Sequence, residues 1–363
     1  MIQIWKEALD LLDEGEDFCI ATIVSLQGSS PRHVGSKFLV KRDGATVGTI
    51  GGGLFEAQVI SAARKALEEK FSTLMRFAFS GDDTSAEIMI CGGTVKVLID
   101  YHNPFDNISR EIYRNLLRID SERLSGYLVT RIPSHVGALE TNPLDRLFLD
   151  ETGASFGNLS EQDRLISEFQ STRFAGQAQL LESDHAGYPA FMEYFYPRGM
   201  VYIFGAGHVG ICVAQLATYV GFKVTLVDDR EDFANFQKVP DAERILVVDD
   251  FENSMRTLGI GYDSYIVIVT RGHSHDKTVL KQALDTPARY VGMIGSRRKI
   301  KMIFDALLKE GVDEDLLKRV HSPIGLPIGG ETPQEIAVSI VAELIQTKQA
   351  SMDKNTKAAC MSG

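Results

Sequence analysis

Apolar positions recur at helical spacing at the start of the chain, where Trp5, Ala8, Leu9 and Leu12 share one stripe that Gly15 ends. The spacing then changes. FCIATIVSLQG reads as a strand rich in β-branched residues, GSSPRHVGSKFLV as a turn-dense link into a second strand, and ATVGTI as a third. LFEAQVISAARKALEEK returns to helical spacing, TVKVLIDY is a further strand, and residues 105–123 place Ile108, Ile112, Leu116 and Ile119 on one face of a helix. GYLVTRIP, a hairpin in LFLDETGASFG, a helix opened by Ser160 and Asp163, and the strands AQLLE and FMEYFYP complete the first half as an α+β domain.

After Pro197-Arg198-Gly199 the pattern becomes continuous apolar runs alternating with helices: VYIF, KVTLVDD, RILVVD, SYIVIVT and YVGMIG. Runs without in-out alternation are strands buried on both faces, so the second half reads as a doubly wound parallel sheet. The expected fold class is α/β: a C-terminal Rossmann-like doubly wound parallel sheet with an N-terminal α+β domain. The expected domains are 1–197 and 198–350, followed by a flexible tail at 351–363. Thr332-Pro333-Gln334-Glu335 fits a capping box with proline at the first helical position, opening a largely apolar last helix.

Gly205, Gly207 and Gly210 occupy the G-x-G-x-x-G positions between the first of these strands and its helix. The pattern suits a tight turn, close approach of backbone to a phosphate, and close helix-to-strand packing. His208 follows inside the motif. Asp228 ends the next strand, where a carboxylate can accept hydrogen bonds from ribose hydroxyls, and Arg230 stands two residues on. The ligand expected at this turn is NAD(P), another nucleotide or the nucleotide part of a dinucleotide cofactor; the alternative is that the glycines serve packing alone. TRGHSHD stands at a strand's carboxyl end, so His273, His275 and Asp276 are candidates for ligand or metal contact; as a chelate the loop is cramped without His208 or His321 as a further ligand, and the alternative is that these are ordinary loop histidines. Ser296 is an expected N-cap, and Arg297, Arg298 and Lys299 crowd the positive end of the following helix, an arrangement that an anion would relieve.

Two more glycine-rich turns lie in the first half. Gly51, Gly52 and Gly53 feed a helix with Glu56 in its first turn, and Arg32 and Lys37 are candidate cationic partners for an anion there; the alternative is an ordinary turn with Glu56 placed on the helix dipole. Cys91, Gly92 and Gly93 precede a strand; glycines beside a thiol leave the sulfur accessible for reaction or metal contact, and a buried inert cysteine is the alternative.

Composition narrows the function classes. The 363 residues carry 38 basic and 49 acidic side chains, a net charge of −11, which argues against non-specific binding to nucleic acid or anionic membranes. Cys19, Cys91, Cys212 and Cys360 are widely spaced with no C-x-x-C pair, as suits a reducing compartment. The acid-bearing amphipathic N-terminus predicts no signal peptide, and no uncharged apolar run reaches the length of a membrane span.

Taken together, GSSPRHVGSKFLV, GGGLFE, CGGTVKV, GAGHVG with VDDR, TRGHSHD, YVGMIGSRRK and PIGLPIGGETPQEIAVSIVAELI resemble the XdhC/CoxI family of xanthine dehydrogenase accessory proteins. Pro327 departs from that pattern, standing where many relatives carry Asp. The resemblance implies a cytoplasmic, dimeric chaperone of the molybdenum cofactor (molybdopterin). Such a protein shelters the cofactor during sulfuration by a cysteine desulfurase and inserts it into an apo molybdenum hydroxylase. On that reading Cys91 contacts molybdenum and the glycine turns bind the anionic parts of the cofactor. The rival reading is an NAD(P)-dependent oxidoreductase with His275 or His273 as acid or base, or a nucleotide-sensing Rossmann protein.

Overall fold

A computed structural model describes residues 2–28, 33–79, 93–159, 178–181 and 188–360. The chain divides into two compact units, Met1–Pro197 with Asn355–Gly363, and Arg198–Lys354. Among the described residues, no helix is long and apolar enough to cross a membrane.

In the first unit, helix α1 (Ile2–Glu14) buries Trp5, Ala8, Leu11 and Leu12. Strands β1 (Phe18–Gly28), β2 (Lys37–Lys41), β3 (Thr46–Gly48), β4 (Ser72–Phe79) and β5 (Gly93–His102) form an antiparallel sheet in the order β3-β2-β1-β5-β4, with helix α2 (Gly53–Glu69) packed on one face. Helix α3 (Asn107–Glu122) is N-capped by Asp106, whose carboxylate accepts the Ser109 N–H, and its stripe of Ile112, Leu116 and Ile119 is buried. Strands β6 (Gly126–Arg131), β7 (Leu139–Glu140), β8 (Arg146–Asp150), β9 (Ser155–Gly157), β10 (Ala178–Leu181) and β11 (Ala190–Phe195) follow. β7 extends the first sheet beside β4, and the others make a second antiparallel sheet, β10-β11-β6-β8-β9. The helix expected after Ser160 falls outside the described residues.

The inner side of this unit holds charge as well as hydrocarbon. Asp100 and His102 alternate on β5; Arg146 pairs with Asp100, and the His102 ring lies 3.2 Å from Asp100 and 3.6 Å from Asp106. Burial works against ionised Asp100, yet Arg146 and His102 outweigh it and bring its pKa down to about 2. Burial also opposes the imidazolium of His102, but Asp100 and Asp106 overcome that and raise its pKa. Beside this group Lys37 is buried, 2.8 Å from Glu193 and 3.1 Å from Thr22 Oγ1.

In the second unit, strands β12 (Met200–Phe204), β13 (Lys223–Asp228), β14 (Arg244–Val247), β15 (Ser264–Ile268), β16 (Tyr290–Met293) and β17 (Val320–His321) form a wholly parallel sheet, β14-β13-β12-β15-β16-β17. This is the order of a dinucleotide-binding doubly wound fold, with its switch point between β12 and β15. Helices α4 (His208–Tyr219), α5 (His273–Leu284), α6 (Arg297–Lys309), α7 (Glu314–Leu317) and α8 (Pro333–Cys360) complete it. α4 and α8 bury apolar side chains against one face of the sheet, α5 and α6 against the other. The capping box forms: Thr332 Oγ1 accepts the Glu335 N–H, and Glu335 accepts the Thr332 N–H. α8 continues to Cys360, past residue 350 where the sequence suggests that a tail begins, since no Gly or Pro interrupts it after Pro333.

Removing Arg146 strands two buried carboxylates, so Arg146→Met should lower stability by about 3–5 kcal/mol in urea unfolding. The pH dependence has two limbs. His102, raised above its ordinary 6.5, contributes stability that is present below that value and lost as pH rises through its folded pKa. Asp100, lowered from 3.8 to about 2, contributes stability present above 3.8 and lost as pH falls toward 2. His102→Gln should flatten the alkaline limb of an unfolding series from pH 3 to 9, and an unchanged limb would refute the role given to His102.

Candidate functional site

Four strand ends converge at the carboxyl edge of the parallel sheet. β12 runs into the Gly205–Gly210 turn and β13 ends in Asp228; β15 leads to Thr270 and β16 to Ser296. The three glycines differ in what requires them. Gly205 has φ +113°, and a Cβ there would lie 2.4 Å from the Val269 carbonyl oxygen; a Cβ on Gly210 would lie 1.8 Å from the Gly205 oxygen. Both are therefore demanded by the fold itself. Gly207, at φ −70°, would place a Cβ in open space, and α4 starts behind it without a side-chain cap. Its missing side chain is thus room at a helix N-terminus, where a phosphate fits. His208 is the first residue of α4 and is exposed.

Asp228 does not stand ready for a ribose. It is 1% exposed; one oxygen accepts the Ala206 N–H at 2.6 Å, and the Arg230 guanidinium and N–H take up the rest at 2.8–3.0 Å. Burial alone would raise its pKa, and these hydrogen bonds outweigh burial and lower it. In this arrangement Asp228 is a clamp across the turn. Arg230 lies over the Phe233 ring at 3.9 Å, and Asp229 beside it receives Arg271 at 3.3 Å. The phosphate half of a nucleotide thus fits the turn, whereas its ribose finds its expected acceptor engaged.

The TRGHSHD segment differs from the loop that its composition suggests. His273, His275 and Asp276 lie in the first turn of α5, and helical residues two apart do not face each other, so the histidines cannot chelate one ion together. His273 is exposed, while His275 packs 5.2 Å from the Phe251 ring. Asp276 is fully buried, accepts the Thr270 hydroxyl at 2.6 Å and is ion-paired with Lys299, so it acts as a positioning group. His321 is engaged elsewhere, 2.9 Å from Glu343, whose other oxygen accepts the Tyr290 hydroxyl at 2.5 Å. Among the described residues no three His, Cys, Asp or Glu side chains are placed to hold a metal ion. Ser296 caps α6, its hydroxyl accepting the Lys299 N–H at 3.3 Å. Lys299 thus has its own carboxylate, and the exposed Arg297 and Arg298 are the cations left at this helix start.

In the first unit, Gly93 opens β5 opposite both Gly28 at the end of β1 and Phe79 at the end of β4, whereas β2 starts opposite Thr22 within β1, with the end of β3 beside it. Gly51–Gly53 follow β3 and open α2, and all three have positive φ. A Cβ on Gly52 would meet nothing within 4 Å, and the helix behind it has no side-chain cap. Glu56 turns instead to the Thr49 hydroxyl at 2.9 Å. Lys37 takes no part in this turn, because its ammonium is sealed against Glu193. Arg32, Cys91 and Gly92 lie outside the described residues. Lys299 and Thr270 are the partners that sequence reading misses; the signal for the first was an uncompensated cation run at a helix start.

Two stretches match known family models: residues 11–78 the XdhC and CoxI family, and residues 201–344 the XdhC Rossmann domain. The chain is 26% identical over 347 residues to the uncharacterized protein YqeB of Escherichia coli (strain K12), a match that covers 96% of this chain and 46% of that relative, so it spans about half that protein's length. It is 27% identical over 344 residues to a probable xanthine dehydrogenase subunit of Bacillus subtilis (strain 168), covering 93% and 96% of the two chains. A crystal structure described as a xanthine dehydrogenase from Bacillus halodurans is similar at a TM-score of 0.78 and 26% identity, covering 95% of this chain and 96% of that one.

Gly210→Ala forces an overlap with backbone and should cost about 3 kcal/mol or more, while Gly207→Ala should stay within about 0.5 kcal/mol of wild type in urea unfolding. Equal costs would show that the turn is not built as described.

Proposed function

The chain belongs to the XdhC and CoxI family, and from that premise we propose that it is an accessory protein of a xanthine dehydrogenase-type molybdenum hydroxylase. It binds the molybdenum cofactor as cargo, holds it while a cysteine desulfurase supplies the terminal sulfur, and passes it to the apo hydroxylase. The observation that carries this reading is the uncapped Gly51–Gly53 turn, from which α2 leads directly to Phe55, packed 5.2 Å from Phe77 near the end of β4. The open Cβ space at Gly52 and a helix start without a side-chain cap suit the terminal phosphate of a pterin cofactor. Cys91, two residues before Gly93 in the chain, is the thiolate proposed to contact molybdenum. Arg32 and Gly92 belong to the same proposed site. The homodimer and a cytoplasmic location are part of the proposal.

Nicotinamide-dependent oxidation is the weaker reading. Asp228 is already saturated by Ala206 and Arg230, and Asp276, beside His275 in the chain, is buried against Lys299. Nucleotide binding without hydride transfer is favoured by one specific observation, the open space at Gly207, and is kept as a second role for the Rossmann unit.

Purified protein incubated anaerobically with released molybdenum cofactor and passed through a desalting column should retain pterin fluorescence and molybdenum in equal amounts. Cys91→Ala should retain pterin with far less metal and fail to activate the apo hydroxylase. A wild-type fraction free of pterin, together with tight NAD(P) binding that Gly207→Trp abolishes, would overturn the carrier reading in favour of the nucleotide one.

A further inference from the structure

Where the two sheets of the first unit diverge they leave a cleft of about 720 Å³, within the size range of small-molecule sites. Its apolar lining includes Leu74 on β4, Ile132 just past β6, and Leu180 on β10, which belong to one packed cluster. Its polar lining is mostly cationic or basic: Lys96 on β5, Arg131 at the end of β6, and His135, with Glu140 as the opposing acid. For a chain of net charge −11, this is a local reversal of sign.

Two features show that the cations are positioned rather than scattered. Arg131 lies 5.4 Å from the centre of the Tyr188 ring, which also lines the cleft, so guanidinium and phenol present a paired surface. Lys96 is the register partner of Arg76 on the neighbouring strand, and like charges directly opposite each other destabilise a sheet. Among the described residues no carboxylate forms an ion pair with Lys96 or Arg76, and Arg131 has only an exposed, long contact to Asp145, at 3.4 Å. A ligand anion at this rim would relieve the repulsion between Lys96 and Arg76 and complete the guanidinium fork.

We propose that this cleft binds a planar aromatic small molecule bearing one anionic group. The ring packs against Tyr188 and the apolar wall, and the anion meets Lys96 and Arg131. The site lies wholly within the first unit and depends neither on the Rossmann turn nor on a metal, so it stands or falls separately from the carrier reading.

The test is a fluorescence titration with 2-naphthyl phosphate, against 2-naphthol and inorganic phosphate, in wild-type protein and in a Gly207→Trp background that closes the second unit's turn. Saturable one-to-one binding is expected in both proteins, at least about tenfold tighter than either fragment probe and weakened by salt. Lys96→Glu and Arg131→Glu should each weaken it at least about tenfold, and Arg131→Lys less, since charge survives while the planar fork is lost. Arg131 is exposed and Lys96 half-buried, and unchanged unfolding midpoints would verify that the variants fold. The proposal is overturned by absence of saturable binding at millimolar probe, by naphthol or phosphate binding as tightly as naphthyl phosphate, by charge reversals without effect, or by binding that Gly207→Trp removes.

Discussion

The second unit depends on one close approach, that of Gly210 to the Gly205 carbonyl, which leaves no room for a side chain between the turn and the helix that follows it. Because α4 sits so near β12, its unpaired N–H groups emerge at the sheet's switch point, and the other strand ends can only be arranged around them. Asp228 then holds the turn from the adjacent strand through the Ala206 N–H. Asp276, on the far side of β12 across β15, is fixed in the same manner by Thr270 and Lys299. Two buried carboxylates satisfied by internal donors make this edge rigid, with exposed cations at Arg297 and Arg298.

The first unit uses charge differently. Asp100, His102, Asp106 and Arg146 are buried where helices and strands from distant parts of the chain meet. Such groups add little net stability compared with hydrocarbon of the same volume, but each becomes costly once a partner is lost, so they penalise any other register. Lys37 with Glu193 does the same between the two sheets. The ligand sites proposed for this unit use other features: the uncapped turn at Gly51–Gly53 and the basic cleft near Arg131.

Much of this was legible from residues alone. β1 occupies the predicted FCIATIVSLQG, the stripe on α3 is buried, and the Thr332 capping box forms as its spacing requires. The parallel sheet followed from apolar runs without alternation. Less legible was the short β17, two residues at a sheet edge with too few positions to show a pattern. The buried charges left a trace in the sequence, since Asp100 and His102 stand at alternate positions straight after the apolar run Val97-Leu98-Ile99, a placement that solvent exposure alone would not favour.

What the sequence determined by itself was local: the order of helices and strands, the parallel character of the second sheet, the turns that glycine permits and the caps that start helices. These depend on side-chain periodicity and backbone sterics over a few residues. Tertiary structure alone decided which charged groups remain free. Lys37 looked like an anion partner until a residue 156 positions away neutralised it, and Asp228 looked like a ribose acceptor until the turn and Arg230 engaged it. His273 and His275 looked like residues of a loop until the helix took them into its first turn. Availability is a property of burial and pairing across the whole fold, and no local pattern of residues encodes it.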